Sequence, residues 1–279
     1  MTVELFVVLF AGSLAAGALG SALGMAGGIF VVPLLTLIAH VPFPTAVAVS
    51  LISVIACSCA SAPGFLAAGL PNLRLALVLE VFTALGALVG VLMIGLVPSS
   101  MLYGIFAAVL LVSAVQMIAG RREPAAAAGA PRYPRLDGVY ADREGQLVPY
   151  RVVRLPLGMT FMFGAGTLSA LLGIGSGVLK IPAMDAAMRL PIKVSSATAN
   201  LMIGVTACGA AAAYLLAGTL DLRLAAPVVL GSLAGSVLGA QVLIRLAGPS
   251  LRIVFMVVLF ALAIPMTANA FGLGWGGVA

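Results

Sequence analysis

A spaced set of glycines and prolines occurs twice in this chain, and the second copy follows the first at a constant offset. The two copies read Gly24-x3-Gly28-x4-Pro33-x8-Pro42 and Gly173-x3-Gly177-x4-Pro182-x8-Pro191. The same offset relates further pairs along the chain: Cys59 and Cys208, Gly69 and Gly218, Arg74 and Arg223, Gly86 and Gly235, Gly90 and Gly239, and Phe106 and Phe255. A register kept through so many positions indicates two structural repeats. Matching apolar segments interrupted by glycine and proline are typical of the binding sites of secondary transporters.

Both repeats are far too apolar for a soluble domain. The chain has 63% apolar and 8% charged residues and a mean hydropathy of +1.24, whereas about a quarter of the residues of a soluble domain are charged. The apolar runs are continuous and do not alternate as the strands of a membrane barrel do, so the spanning elements should be helices. The sequence therefore predicts an all-α integral membrane protein.

Each repeat has one short apolar piece and four longer ones. The short pieces, 29–39 and 178–188, have about 11 residues, which rise about 16 Å and reach about half the hydrocarbon thickness. Each short piece follows a cluster of glycines that can break a helix. We expect, in each repeat, a helix pair folded into a V at these glycines, followed by three transmembrane helices.

A polar segment rich in arginine and proline separates the repeats. We predict a first transmembrane repeat over residues 1–119, a cytoplasmic linker over 120–154 and a second repeat over 155–279. Seven of the arginines lie in the linker rather than along a helical face, so the net charge of +6 does not indicate nucleic-acid binding. The linker is interpreted as a solvated connector, with a regulatory or lipid-binding module as the alternative.

The basic residues of the loops favour inverted repeats. With the linker in the cytoplasm, inverted repeats place twelve lysines and arginines inside and only Arg223 outside. Parallel repeats would leave nine inside and four outside. Because lysine and arginine are enriched in cytoplasmic loops, the sequence predicts that the second repeat is inverted relative to the first.

Lys180 is the most informative charged residue because apolar sequence flanks it on both sides. A cation within the membrane costs at least about 3 kcal/mol on insertion scales, so such a residue is a candidate functional site. It also lies in the first turn of a short helix, where free backbone N–H groups favour an anion. The predicted anion-binding region comprises Lys180 and the residues of both glycine breaks: Gly24, Gly27, Gly28, Gly173, Gly175, Ser176 and Gly177. The alternative is a structural pairing of Lys180 with Asp185.

Other polar side chains lie within the apolar segments. Ser50, Thr198 and Asn200 follow the turns at Pro42 and Pro191 and are candidate substrate contacts, although hydroxyl groups in membrane helices often serve packing. Glu80 and Asp185 are candidate carriers of a coupling ion. Alternatively, Glu80 pairs with Arg74. The Gly-x3-Gly pairs at 86/90 and 235/239 are interpreted as helix-packing sites.

The remaining reactive residues do not predict a catalytic or metal site. Cys57, Cys59 and Cys208 lie in apolar runs without a cluster around His40, the only histidine, and are interpreted as small buried hydrophobic residues. No cofactor and no enzymatic activity are predicted. An intramembrane enzyme acting through one of these thiols is the less favoured alternative.

The glycine-rich motifs resemble those of the TauE/SafE family of sulfite exporters and organosulfonate permeases. The resemblance rests on Gly20-Ser-Ala-Leu-Gly-Met-Ala-Gly-Gly-Ile-Phe-Val-Val-Pro33, its echo Leu172-Gly-Ile-Gly-Ser-Gly-Val-Leu-Lys-Ile-Pro182, and Ala-Val-Ala-Val-Ser50. It covers both repeats and implies a secondary transporter of small sulfur-containing anions in the cytoplasmic membrane. A permease for a non-sulfur metabolite or a metal cation is the alternative function. A homodimer is compatible with either function.

Overall fold

The same order of helices occurs in both halves of the chain. A computed structural model describes residues 3–94, 96–119, 133–141, 146–245 and 248–270. The first half contains α1 (Val3–Leu23), α2 (Gly28–Pro33), α3 (Phe43–Ala67), α4 (Leu73–Leu92) and α5 (Ser99–Ala119). The second contains α6 (Leu155–Leu172), α7 (Gly177–Pro182), α8 (Ile192–Leu216), α9 (Leu222–Arg245) and α10 (Gly248–Ala270). The predicted all-α class is confirmed.

Six of the described helices are long and apolar enough to cross a membrane, and these are α1, α3, α4, α6, α8 and α9. Their outward faces carry large apolar side chains, such as Leu77, Leu92 and Leu216, which are 72%, 78% and 89% exposed. An apolar exterior of this extent suits lipid rather than water. The protein is therefore a multi-pass integral membrane protein.

Each short helix folds back against the helix before it. α2 and α7 continue into single π-helical turns, Leu34–Ile38 and Ala183–Ala187, which directly follow Pro33 and Pro182. A Cβ on Gly12 of α1 would lie 2.7 Å from the Leu34 side chain, and one on Gly158 of α6 would overlap the Met188 sulfur, so each short arm lies beside the long helix before it. The predicted V-shaped helix pairs are thus present in both halves.

Glycines allow the long helices of different halves to approach closely. A Cβ on Gly86 of α4 would overlap the Phe163 carbonyl of α6, and one on Gly235 of α9 would overlap the Leu14 carbonyl of α1. These are the close contacts that the Gly-x3-Gly spacing predicts. The α4–α6 and α1–α9 contacts are repeat equivalents of each other. The inversion of the repeats across the membrane, and the three-part domain division, stay predictions.

The linker contains a small β-hairpin that the sequence did not predict. Strand β1 (Gly138–Ala141) pairs antiparallel with β2 (Leu147–Tyr150). The Asn72 side-chain amide donates to the Leu136 carbonyl at 2.8 Å and to the Tyr150 hydroxyl at 3.1 Å. Burial raises the pKa of the Tyr150 phenol, so this hydroxyl stays protonated. The linker hairpin, residues 133–141 and 146–154, is thereby fixed to the start of α4.

Several linker residues used in the charge comparison lie outside the described residues. They are Arg121, Arg122, Arg132 and Arg143, and the acidic linker residues Glu123, Asp142 and Glu144 also lie outside the described residues. Within the described part, Arg74 extends along the hairpin and donates to the Arg135 carbonyl at 3.4 Å. Arg74 thus contacts the linker, as expected if both lie on the same side of the membrane.

Candidate functional site

The two glycine breaks meet in the centre of the molecule. A Cβ on Gly28 would lie 2.8 Å from the Ile174 carbonyl oxygen, and one on Gly177 would lie 2.9 Å from the Cα of Met25. Each break therefore occupies the space that a side chain on the other would need. The short helices α2 and α7 begin at this contact.

The local backbone explains why glycines form the breaks. Gly24 and Gly27 have φ values of +80° and +78°, and Gly173 and Gly175 have φ values of +65° and +67°. Residues with side chains rarely adopt this left-handed conformation. The helices before the breaks end there, and the chain reverses within about four residues.

Ser50 joins the two breaks directly. Its hydroxyl lies 2.7 Å from the Gly173 carbonyl oxygen and 3.3 Å from the Gly28 carbonyl oxygen. A hydroxyl has one proton, so it donates to one carbonyl at a time. Ser50 was predicted as a substrate contact, and in this structure its hydroxyl links main-chain groups of both repeats.

Lys180 and Glu80 form an ion pair between the two halves of the chain. The Lys180 Nζ lies 3.0 Å from the Glu80 Oε2, and the Lys180 side chain is fully buried while that of Glu80 is 13% exposed. The lysine also donates to the Thr206 hydroxyl at 2.9 Å, and this hydroxyl in turn donates to Glu80 Oε1. Lys180, Glu80 and Thr206 are called the buried triad below.

The buried triad replaces both structural pairings considered from the sequence. The carboxylate that neutralises Lys180 is Glu80 rather than Asp185, so that pairing was wrong. The pairing of Glu80 with Arg74 was also wrong, because Arg74 is directed to the linker hairpin. Glu80 lies 100 residues from Lys180, and the packing of both α4 and α7 against α8 brings the two together.

Thr206 is a member of the triad that the sequence analysis did not single out. It lies on α8 at a spacing of eight residues from Thr198, with Met202 between them. Residues spaced by four lie on one helical face. The position of Thr206 on the same helical face as the predicted site residue Thr198 was the sequence signal that could have identified Thr206.

Thr198 and Asn200 lie elsewhere on α8. The Thr198 hydroxyl accepts from the Asn72 backbone N–H at 3.0 Å, which places it beside the start of α4. The Asn200 amide donates to the Ser61 hydroxyl at 2.6 Å, where α3 and α8 cross. Thr198, Asn200 and the triad residue Thr206 thus lie along the same helix, each with different partners.

Several buried oxygens around the breaks have no hydrogen-bond partner within the described part of the chain. They are the hydroxyls of Ser21, Ser176, Ser195 and Ser196 and the Asn200 side-chain oxygen. Ser196 lies directly against Gly24, and Ser176 directly precedes α7. Buried polar groups are normally satisfied, so a set of unsatisfied ones points to a polar ligand or water.

Asp185 lies in the π-helical turn that follows α7 and is 8% exposed. It is five residues beyond Lys180 and six before Pro191 along the chain. Of the two candidate coupling carboxylates, Glu80 forms the ion pair with Lys180.

The cysteines do not form a reactive group. Cys57 is buried and donates to the Ser232 carbonyl at 3.3 Å, whereas Cys59 and Cys208 are exposed. The prediction of burial was wrong for these two because they lie on faces of α3 and α8 that lipid would cover, where a small thiol is tolerated. Among the described residues, no group of three histidine, cysteine or acidic side chains could hold a metal ion.

A surface cavity of about 750 Å³ opens between the turn at Pro42 and the α8–α9 loop. It is lined by residues 39–42, 45 and 218–224, including His40, Asp221 and Arg223. The repeat equivalents of Ala39, Asp221 and Arg223 are Met188, Asn72 and Arg74. All three contact the linker hairpin. The Asn72 and Arg74 side chains donate to its backbone carbonyls, and the Val153 N–H donates to the Met188 carbonyl. The hairpin therefore lies where the repeat would otherwise form a second such cavity.

The comparisons with known proteins agree with these features. The family model described as "Sulfite exporter TauE/SafE" matches residues 9–266. The probable membrane transporter protein YunE of Bacillus subtilis (strain 168) is 25% identical over 91% of this chain and 94% of its own. The probable membrane transporter protein YdhB of the same organism is 27% identical over 78% of this chain and 82% of its own. No solved structure matches.

The family match covers both helix sets, both breaks and the linker between them. Paired broken helices that meet at the centre of a membrane protein are an arrangement typical of secondary transporters. The protein is a membrane transporter, and the chain belongs to the TauE/SafE sulfite exporter family.

Proposed function

We propose that the protein is a secondary transporter that moves small sulfur-containing anions, either sulfite or a small organosulfonate, across the cytoplasmic membrane by alternating access. One observation carries the anion specificity: the fully buried ammonium of Lys180 in the short helix α7. A buried cation selects for an anionic ligand, because a cationic ligand would add to an unfavourable charge.

The surroundings of Lys180 fit an oxyanion. The first N–H groups of the short helices lie near the meeting point of the breaks, and the Ser176 and Ser196 hydroxyls lie there without partners. Sulfite and sulfonate groups carry three oxygens, each of which accepts hydrogen bonds from such donors. We infer that the predicted residues Gly24, Gly27, Gly28, Gly173, Gly175, Ser176 and Gly177 surround the bound anion.

The mechanism follows from the contact between the two repeats. Ser50 and the buried triad connect elements of both halves. A movement of one half against the other changes which side of the membrane the breaks face, while the site stays at the centre. In the described structure Lys180 is closed off from solvent, which corresponds to an occluded state.

Flux measurements with reconstituted protein test this function. Liposomes containing the purified protein are assayed with radiolabelled sulfite, methanesulfonate, acetate and a divalent metal cation. We expect counterflow of the two sulfur anions. Flux of acetate alone would favour a permease for non-sulfur metabolites, flux of the cation would favour a cation permease, and chemical conversion of the substrate would favour the thiol enzyme.

A further inference from the structure

The buried triad connects three helices through a closed set of hydrogen bonds. Lys180 lies on α7, Glu80 on α4 and Thr206 on α8, so the first half contributes the carboxylate and the second half contributes the ammonium and the hydroxyl. The lysine contacts both partners, and the threonine contacts the second carboxylate oxygen. Two of the three ammonium donors and the threonine hydroxyl are thus directed to partners within the triad.

The ring is electrically neutral as long as both charges are present. In a medium of low polarity, removing one member of an ion pair leaves a buried charge without compensation, which is strongly unfavourable. Lys180 can therefore leave Glu80 under two conditions: another anion must approach the lysine, and the carboxylate must lose its charge. Proton binding to the carboxylate meets the second condition.

We propose that the transported anion and the Glu80 carboxylate are alternative partners of Lys180, so that each monovalent anion is transported together with one proton bound to Glu80. This inference rests on the proposed function. In the described state, Lys180 and Glu80 neutralise each other. In the loaded state, the anion neutralises Lys180, and the proton taken from solution neutralises Glu80. The site is neutral in both states.

The charge balance predicts an electroneutral transport cycle for a monovalent anion. One negative charge and one positive charge cross together, so the membrane potential should not drive accumulation, whereas a pH gradient should. A transporter in which Lys180 simply bound the anion, without proton exchange at Glu80, would move net charge and respond to the potential.

Thr206 is a positioning residue in this scheme. Its hydroxyl accepts from Lys180 and donates to Glu80, so it holds the carboxylate against the ammonium. When Glu80 is protonated, the same hydroxyl can accept from the carboxyl group instead. Thr206→Val should therefore shift the pH dependence of anion binding, while Thr206→Ser should restore it.

Other titratable groups on the packed helices are already engaged or lie apart from the ring. α6, which packs against α4 and α7, carries none. Tyr103 of α5 packs on Phe43, Lys193 donates to the Ile244 carbonyl, and Tyr214 donates to the Leu171 carbonyl. Cys208 is exposed, Arg74 contacts the linker, and Asp185 lies beyond α7 in the π-helical turn.

Proton uptake linked to anion binding tests the proposal without transport. Methanesulfonate, which stays monovalent, is added to the detergent-solubilised protein in a weakly buffered solution with a pH-sensitive dye. We expect the wild-type protein to take up about one proton per bound anion. Glu80→Gln should bind the anion with no linked proton uptake, while Glu4→Gln, a matched change at an exposed carboxylate, should behave like the wild type.

The outcomes separate this inference from the proposed function. Absence of binding of both sulfite and methanesulfonate to the wild-type protein would overturn the proposed function and this inference with it. Binding without proton uptake, or proton uptake retained in Glu80→Gln, would overturn the inference alone. If Asp185→Asn lost proton uptake while Glu80→Gln retained it, the proton would be assigned to Asp185, and the inference about Glu80 would be overturned.

A double variant guards against misfolding of the single ones. Glu80→Gln leaves Lys180 without a carboxylate, so its thermal stability in detergent should fall in the absence of anion and recover when methanesulfonate is added. Lys180→Gln combined with Glu80→Gln removes both charges and should recover stability without anion, but it should not bind methanesulfonate. In liposomes, Glu80→Gln should lose accumulation driven by a pH gradient. Equal accumulation in wild type and variant would contradict the proposal.

Discussion

Lys180 forms a structural contact within the protein and is also the residue on which the proposed anion site rests. Its ammonium is fully buried and neutralised by Glu80, which makes the pair tolerable within an apolar protein. Its repeat equivalent, Val31, is also buried but apolar, so the fold itself does not need a charge at this position. The ammonium is therefore specific to the second repeat, which agrees with the anion-binding role proposed for Lys180.

Removing the ammonium should strongly reduce anion transport. Lys180→Met retains most of the buried volume, and we expect it to lower counterflow of sulfite or methanesulfonate by about 10- to 100-fold, since a hydrogen bond to a charged group contributes about 1.5–3 kcal/mol. Lys180→Arg should recover only part of the rate, because a planar guanidinium does not replace a compact ammonium. Wild-type counterflow in the purified methionine variant would contradict a substrate role for Lys180.

Among the helices, close packing depends on glycines that have no room for a side chain. Gly86 and Gly90 of α4 lie against α6, and Gly235 and Gly239 of α9 lie against α1. A Cβ at Gly86 would overlap the Phe163 carbonyl, which is main chain and cannot turn aside. Without such contacts, helices in lipid lose the close packing that associates them.

Gly86→Ala should destabilise the protein even though alanine favours helix formation. Insertion of a group into a well-packed region costs about 1–3 kcal/mol, and a main-chain contact makes the upper part of this range the expectation. Gly164→Ala on α6 is the matched control, because no atom lies within 4 Å of the added Cβ. In thermal unfolding of detergent-solubilised protein, the midpoint should fall for Gly86→Ala and should not fall for Gly164→Ala. An unchanged midpoint for both would mean that the helices can separate at little cost.

The linker hairpin lies at one of two repeat-equivalent turns, where the Val153 N–H donates to the Met188 carbonyl. Near the other turn, Thr45 lines the open cavity, whereas its repeat equivalent, Val194, is fully buried. Tyr150 anchors the hairpin through its buried ring and its contact with Asn72. Weakening this anchor should expose Val194 without affecting Thr45.

Cysteine labelling can measure this difference in accessibility between positions 45 and 194. In a variant lacking the three native cysteines, Thr45→Cys should react with a water-soluble thiol reagent and Val194→Cys should react slowly. Addition of Tyr150→Ala should raise the reaction rate of the cysteine at position 194 several-fold and leave the rate at position 45 unchanged. Val139→Ala, a change at an exposed hairpin position, is the control and should alter neither rate. Tyr150→Phe should have a smaller effect. Equal rates at 194 with and without Tyr150→Ala would show that the hairpin does not limit access.

For the whole molecule, the inverted arrangement predicts which loops face the cytoplasm. α3 and α8 are repeat equivalents, so their C-terminal ends should lie on opposite sides of the membrane. Ala67 and Leu216 occupy these ends and are both exposed. In the variant without native cysteines, an impermeant thiol reagent applied to intact cells should label Leu216→Cys and should not label Ala67→Cys. Permeabilised cells should show labelling of both, and equal labelling in intact cells would favour parallel repeats.

Hydropathy and the repeated glycine pattern were enough to predict the helical membrane class, the broken helix pairs and the residues at the breaks. These properties are local: an apolar run of about 20 residues spans a bilayer, and a helix breaks where glycines adopt a left-handed conformation. The sequence also placed Lys180 and Glu80 among the candidate residues, since charges in apolar segments are rare.

The tertiary structure alone decided which of these residues meet. The pairing of Lys180 with Glu80 and Thr206, the docking of the linker hairpin on Asn72 and the exposure of Cys59 and Cys208 depend on how helices from different parts of the chain cross and rotate. Apolar residues surround the α3 and α8 helices on nearly every face, so periodicity does not distinguish a face toward protein from a face toward lipid. In a membrane both environments are apolar, and packing between helices determines which side chains become partners.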